Sequence, residues 1–198
     1  MIIVVEGISA SGKTSWCVRH GAGHLVPENT HRDSPDDPCA AADFWTARNA
    51  ERWQAALAME RATDLAVCDT DPLKLHYIWC LYRIGEAREE DWRLQLAATR
   101  DAIRQQRLGF ADCYLVNDIA PDLARERARA DPARQRRRFE LHVRLQPLLM
   151  EWYRTLDTVL PGRVQFGFPA AAPAPAESGE RYDLGAFDRM TARLSRPA

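Results

Sequence analysis

Gly7-Ile8-Ser9-Ala10-Ser11-Gly12-Lys13-Thr14 matches the phosphate-binding pattern G-x-x-x-x-G-K-[ST] at every fixed position. The two glycines let backbone N–H groups wrap a phosphate, Lys13 reaches the β- and γ-phosphates, and the Thr14 hydroxyl is placed to ligate Mg²⁺. The predicted nucleotide-binding set is Gly7, Ser9, Ala10, Ser11, Gly12, Lys13, Thr14 and Ser15. The chain has only two lysines, Lys13 and Lys74, so a lysine at the required position does not come from a lysine-rich composition.

Phosphoryl transfer from a triphosphate needs three more groups: a metal anchor, a group that accepts or orients the attacking hydroxyl, and positive charge that closes on the transferred phosphoryl. Asp69, at the end of the apolar run Leu65 to Cys68, is the predicted metal partner of Thr14. Asp71 is the second choice for this and a substrate candidate, although either carboxylate can instead cap the helix that Pro72 opens. Glu28 follows a short strand candidate and is the predicted general base or orienting carboxylate, facing the substrate, with a solvated loop glutamate as the alternative. Arg134, Arg136, Arg137 and Arg138 fall within five positions and could neutralise the phosphoryl oxygens, with Arg125, Arg127 and Arg129 leading into them. A solvated helix face is the competing reading for any one of these arginines. Trp45, Arg48, Asn49 and Trp53 could form an acceptor pocket on one helix face, and core packing accounts for the tryptophans equally well.

The elements that must hold these groups alternate. Strands are predicted at Met1 to Glu6, His24 to Pro27, Leu65 to Cys68, Cys113 to Val116 and Val164 to Phe168. Helices are predicted from Thr14 to Arg19, Ala42 to Thr63, Leu73 to Ile84, Glu89 to Leu108, Pro121 to Arg129, Phe139 to Leu156 and Tyr182 to Leu194. Residues 30–38 read as an acidic insertion and 170–179 as a Pro/Ala-rich loop. Alternating strands and helices imply a parallel sheet covered on both faces, with the ligand at the carboxyl ends of the strands, where Glu28, Asp69 and Asp118 all fall.

The net charge of −1 over 198 residues points to neither nucleic acid nor a membrane surface. No long uncharged apolar run and no leader pattern occurs, so the expected location is the cytoplasm. The five cysteines show no C-x-x-C pair and no metal-ligand spacing, and Cys68 and Cys113 are expected as small buried side chains.

Val5-Glu6-Gly7 followed by Ser9 to Ser15 resembles the first strand and phosphate loop of deoxynucleoside kinases and thymidylate kinases, which carry a glutamate before the first glycine. Pro27-Glu28 is similar to the strand end that supplies the catalytic carboxylate in deoxynucleoside kinases. Asp69 falls where an Asp-Arg or Glu-Arg pair ends their third strand. Tyr114 to Asp118 with Pro121 resembles the fourth strand and its proline-started helix, and the arginine run over 125–140, ending in Glu140, resembles the lid. Three positions depart from the pattern: Thr70 stands in place of the arginine, Glu28 follows its proline, and the insertion is acid-rich.

The resemblance implies an α/β, P-loop NTPase-type three-layer fold with a central five-stranded parallel sheet and an arginine-rich helical lid, in one domain over residues 1–198. It further implies ATP and Mg²⁺ as cofactors and γ-phosphoryl transfer to a nucleoside- or nucleotide-like acceptor. Glu28 as a base suits a hydroxyl better than an already ionised phosphate, so a hydroxyl acceptor is preferred. A sugar or antibiotic hydroxyl is the alternative acceptor. A nucleotide-hydrolysing switch is the rival of another class, disfavoured because no N-K-x-D sequence or long coiled coil occurs. ATP against GTP and the oligomeric state stay open, a homodimer included.

Overall fold

The computed structural model describes residues 1–28, 34–131, 136, 138–174 and 179–194. Five strands, β1 (Ile2–Glu6), β2 (Leu25–Val26), β3 (Ala66–Asp69), β4 (Cys113–Val116) and β5 (Val164–Phe166), form one sheet in the order β2-β3-β1-β4-β5, with every neighbouring pair parallel. β1 is central because Ile-Ile-Val-Val suits a strand buried on both faces, and all five of its residues are buried. Its side chains alternate between two cores. Ile2 and Val4 join the larger one with Trp53, Trp79 and Trp152, whereas Ile3 and Val5 pack with Trp16, Cys17 and Leu115 in the smaller.

The smaller face is covered by α1 (Lys13–His20). The larger is covered by α2 (Pro38–Thr63), α3 (Leu75–Arg83), α4 (Glu89–Arg104), α6 (Phe139–Val159) and α7 (Leu184–Leu194), and α5 (Pro121–Ala130) lies after β4. Among the described residues no helix is long and apolar enough to cross a membrane.

Several helix boundaries differ from expectation, three of them for a visible local reason. α2 begins at Pro38 rather than Ala42, because Asp37 accepts the Ala40 N–H at 2.8 Å and Pro38 is pre-set for the first turn. α3 begins at Leu75 rather than Leu73, because Asp71 accepts the Leu73 N–H at 2.9 Å and folds 71–74 into a turn that ends with Lys74 in the left-handed region, φ 44°. α4 stops at Arg104 rather than Leu108, with Gln106 at φ 58° closing it. Part of the insertion, part of the Pro/Ala-rich loop, and Arg134 and Arg137 lie outside the described residues.

The register decides what meets at the carboxyl edge. Val5 pairs with Asp69, Glu6 with Val116, and Val26 with Cys68. The phosphate loop, Asp69, Asn117 and the Pro27-Glu28 segment therefore emerge side by side.

Candidate active site

Glu6 organises the mouth of the sheet. Its buried carboxylate accepts the N–H of Gly7 at 2.8 Å and of Asp71 at 3.1 Å, and lies 3.8 Å from the Lys13 ammonium and 3.5 Å from His76 Nε2. One carboxylate thus joins the loop after β1 to the turn after β3. Lys13 donates to the Gly7 carbonyl at 2.5 Å. The glycines are needed for space and conformation: a Cβ on Gly7 would lie 2.7 Å from Ser11 Oγ, and Gly12 sits at φ 98° before α1. Asn117 and Arg127 both donate to the Ser11 carbonyl, at 2.8 and 3.3 Å, and so brace the loop from the β4 side.

Thr14 Oγ1 donates to Asp69 Oδ2 at 2.9 Å, which joins the two predicted metal residues. Asp69 Oδ1 is buried without a hydrogen-bond partner. Burial pushes the Asp69 carboxyl above the usual range, against the Thr14 hydrogen bond and Lys13, which pull it down. A cation held through water would satisfy the orphaned oxygen and relieve that cost, so these residues fit Mg²⁺. Among the described residues no group of three His, Cys, Asp or Glu converges, so such an ion would take its other ligands from phosphates and water.

One cleft of about 790 Å³ contains the loop, Asp69 and Glu28. At its far side Glu28 forms an ion pair with Lys74. Its carboxyl is partly withdrawn from water, yet Lys74, with smaller help from Lys13 and Arg52, holds it below the ordinary carboxylate range. Beyond this pair the wall is built by α3 and α6: His76, Tyr77, Cys80, His142, Leu145 and Leu149. Tyr77 and His142 meet edge to face at 6.1 Å. Burial pushes His76 down to about 4 and also lowers His142, so both imidazoles are neutral near pH 7.

The structure distributes the other expected residues differently. Trp45, Arg48, Asn49 and Trp53 are not among the residues that line the cleft. Trp53 is fully buried and its indole N–H points to the Tyr182 hydroxyl at 3.4 Å, Asn49 donates to the Leu73 carbonyl, Arg48 lies over Phe44 and pairs with Glu51, and Trp45 meets Phe44 edge to face. Of the four residues that the sequence offers as an acceptor pocket, Trp53 and Asn49 are packed into the protein, while Trp45 and Arg48 stay half-exposed with partners on α2 itself. Asp71 is buried: its Oδ1 makes the turn before α3 and its Oδ2 accepts the Tyr153 hydroxyl at 3.2 Å. This builds the turn ahead of α3, whose N-cap is Lys74 without a side-chain cap, so Asp71 neither caps that helix nor lines the cleft. Arg136 does line the cleft, with Arg127 and Asp131, and pairs with Asp131 at 2.6 Å.

Sequence reasoning passes over Lys74 and the α3 and α6 wall. For Lys74 a signal existed, since it is one of two lysines. For Tyr77 and Leu145 none did, because these types at helical spacing are equally core residues, and His76 and His142, which fall in helical stretches beside possible site residues, read equally as packed or solvent-facing.

No protein-family model and no curated protein matches the chain. Among solved structures, a deoxyadenosine kinase from M. mycoides with dCMP and a flexible dCDP bound superposes with a TM-score of 0.56 at 13% identity, over 98% of each chain. The deoxyadenosine kinase from M. mycoides with dATP bound gives a TM-score of 0.53 at 13% identity, over 99% of this chain and 100% of that one. At this identity the likeness is one of fold, and it spans nearly the whole of both chains.

Proposed function

We propose that this chain, whose fold is that of the P-loop nucleoside and nucleotide kinases, is an ATP-dependent kinase acting on a hydroxyl of a nucleoside-like acceptor. The observation that carries the reading is a single cleft with a phosphate loop at one end and, at the other, a carboxylate–ammonium pair before a ring-lined wall. Gly7 to Ser15 would hold the triphosphate, and Lys13 would leave the Gly7 carbonyl for the β- and γ-phosphate oxygens. Thr14 and Asp69 would hold Mg²⁺, which when bound neutralises charge on those oxygens. In the transfer step the acceptor oxygen bonds to the γ-phosphorus as the bond to the β–γ bridging oxygen breaks. ADP leaves with that electron pair, and the hydroxyl proton passes to Glu28. Arg127 and Arg136 stand beside the loop as cations for the phosphoryl oxygens, the part assigned to the lid.

The acceptor class follows from the wall. Two neutral imidazoles, a tyrosine and two leucines line the cleft together with a Lys74 ammonium already neutralised by Glu28. This suits an uncharged ring-bearing alcohol better than a dianionic phosphate, and a neighbour of the same fold is a deoxyadenosine kinase. The test is acceptor-dependent ADP release over nucleosides, their 5′-monophosphates, sugars and aminoglycosides. Turnover with nucleosides is expected, lost on Glu28→Gln by roughly 10²–10⁴-fold with ATP affinity retained. Phosphorylation of monophosphates only would make the protein a nucleotide kinase, turnover of a sugar or antibiotic only would move the acceptor outside nucleosides, and hydrolysis stimulated by a protein partner alone would make it a switch.

A further inference from the structure

Both lysines of the chain line one cleft, and the second has no part in the phosphate-loop pattern. Lys74 stands at the N-terminus of α3 with φ 44° and ψ 11°, a region that costs a non-glycine residue on the order of 1 kcal/mol. Nothing in the backbone there requires a side chain, and glycine would adopt it freely. What the side chain adds is its ammonium on the Glu28 carboxylate. Neither group is sealed off: Lys74 is 28% and Glu28 42% exposed, so the pair faces the space an acceptor enters.

The two ends of the pair differ in rigidity. Glu28 lies beyond the two-residue strand β2, with no secondary structure of its own. Lys74 is fixed by a chain of contacts into the core: Tyr153 in α6 donates to Asp71, Asp71 accepts the Leu73 N–H, and Glu6 accepts the Asp71 N–H. At the neighbouring strand end Thr70, a side chain without charge, follows Asp69. Lys74 is therefore the cation that the β3–α3 connection offers to Glu28.

We propose that Lys74 is the positioning residue for Glu28, anchoring that carboxylate from the rigid β3–α3 turn at the point where the acceptor hydroxyl must sit. The inference rests on the kinase reading above. It makes Asp71 the foundation of that anchor rather than a substrate contact.

The test is steady-state kinetics of the wild type, Lys74→Met, Lys74→Arg, Lys74→Gly, Glu28→Gln and the Glu28→Gln/Lys74→Met double variant, with ATP and with deoxyadenosine, deoxycytidine and thymidine as probes. A carboxylate released by about an ångström predicts a fall of about 10²-fold in kcat for Lys74→Met, with KM for ATP unchanged within about twofold. Lys74→Arg should recover at least about tenfold of that loss, because the cation returns. Lys74→Gly should be as slow as Lys74→Met with Tm at or above the wild-type value, which separates positioning from folding. The double variant should be no slower than Glu28→Gln, since Lys74 acts through Glu28. Lys74→Met turnover within about twofold of wild type, or a double variant slower by the full Lys74→Met factor, would overturn the inference alone. A wild type that releases no acceptor-dependent ADP with any of the three nucleosides would overturn the nucleoside-kinase reading and this inference with it.

Discussion

Lys13 is held by two oxygens of its own surroundings, the Gly7 carbonyl at 2.5 Å and the Glu6 carboxylate at 3.8 Å, so it waits inside the loop rather than in solvent. Its partners lie in the cleft and its removal leaves the sheet intact. Lys13→Ala is therefore expected to lower turnover by about 10²–10³-fold with an unchanged circular dichroism spectrum, as for loss of one group that stabilises developing charge. Wild-type turnover in the folded variant would remove the loop from the mechanism. A second expectation concerns two buried groups with opposite signs. Burial pushes Asp71 up from 3.8 to about 7, so its stabilising contribution is complete below about pH 4 and is lost as pH rises to about 7. His76 is pushed down from 6.5 to about 4, so its contribution is complete above about pH 6.5 and is lost as pH falls toward 4. The two slopes oppose one another between these limits. Asp71→Asn should therefore reveal the histidine slope, with stability rising from pH 4.5 to 6.5 more steeply than in the wild type, read from urea unfolding without nucleotide. Parallel profiles for the two proteins would show that Asp71 does not carry this linkage.

At the scale of elements, Arg52 of α2 determines whether the strand ends stay together. Its buried guanidinium donates to the carbonyls of Pro27, Asp69 and Thr70 at 3.1, 2.9 and 2.9 Å, which ties the segment leading to Glu28 to the end of β3. Arg52→Met leaves these acceptors short of a donor and is expected to cost on the order of 3 kcal/mol, about 10 °C in Tm. It should also slow turnover in the protein that remains folded. A variant that melts with the wild type would mean that water replaces the guanidinium. Arg52 shows where sequence reading stops. The loop, the strands and the carboxylates at their ends are legible because each is local: a run of β-branched residues, a fixed spacing, an acid after an apolar stretch. The α3 and α6 wall of the cleft is not, because those helices meet only in the folded chain. The aromatic stripe of α2 carries the same spacing whether it faces a ligand or Trp53 faces Tyr182. The helix expected from Leu73 starts at Leu75, because Asp71 uses its carboxylate on a turn rather than on a cap, and sequence spacing does not separate the two.

For the whole molecule, the sheet order puts the central strand between the two strands whose ends carry the loop's partners, so the cleft lies where β1, β3 and β4 finish. Such a cleft is drawn from one rigid platform and one set of helices, and ligand binding should stabilise both. A Tm increase with ATP and Mg²⁺, enlarged by a turned-over nucleoside, is expected from scanning fluorimetry, and no shift with either would place nucleotide binding elsewhere. The cation inventory has a further, practical consequence. Of the 27 basic side chains only Lys13 and Lys74 are primary amines, and both line the cleft. Amine-reactive esters and reductive methylation, which on most proteins scatter over the surface, would here act as affinity labels without a recognition group. Coupling the protein to a sensor chip through its amines would bury the cleft against the matrix, whereas isotope labelling of lysine alone would return a two-signal spectrum that reports on each end of the cleft.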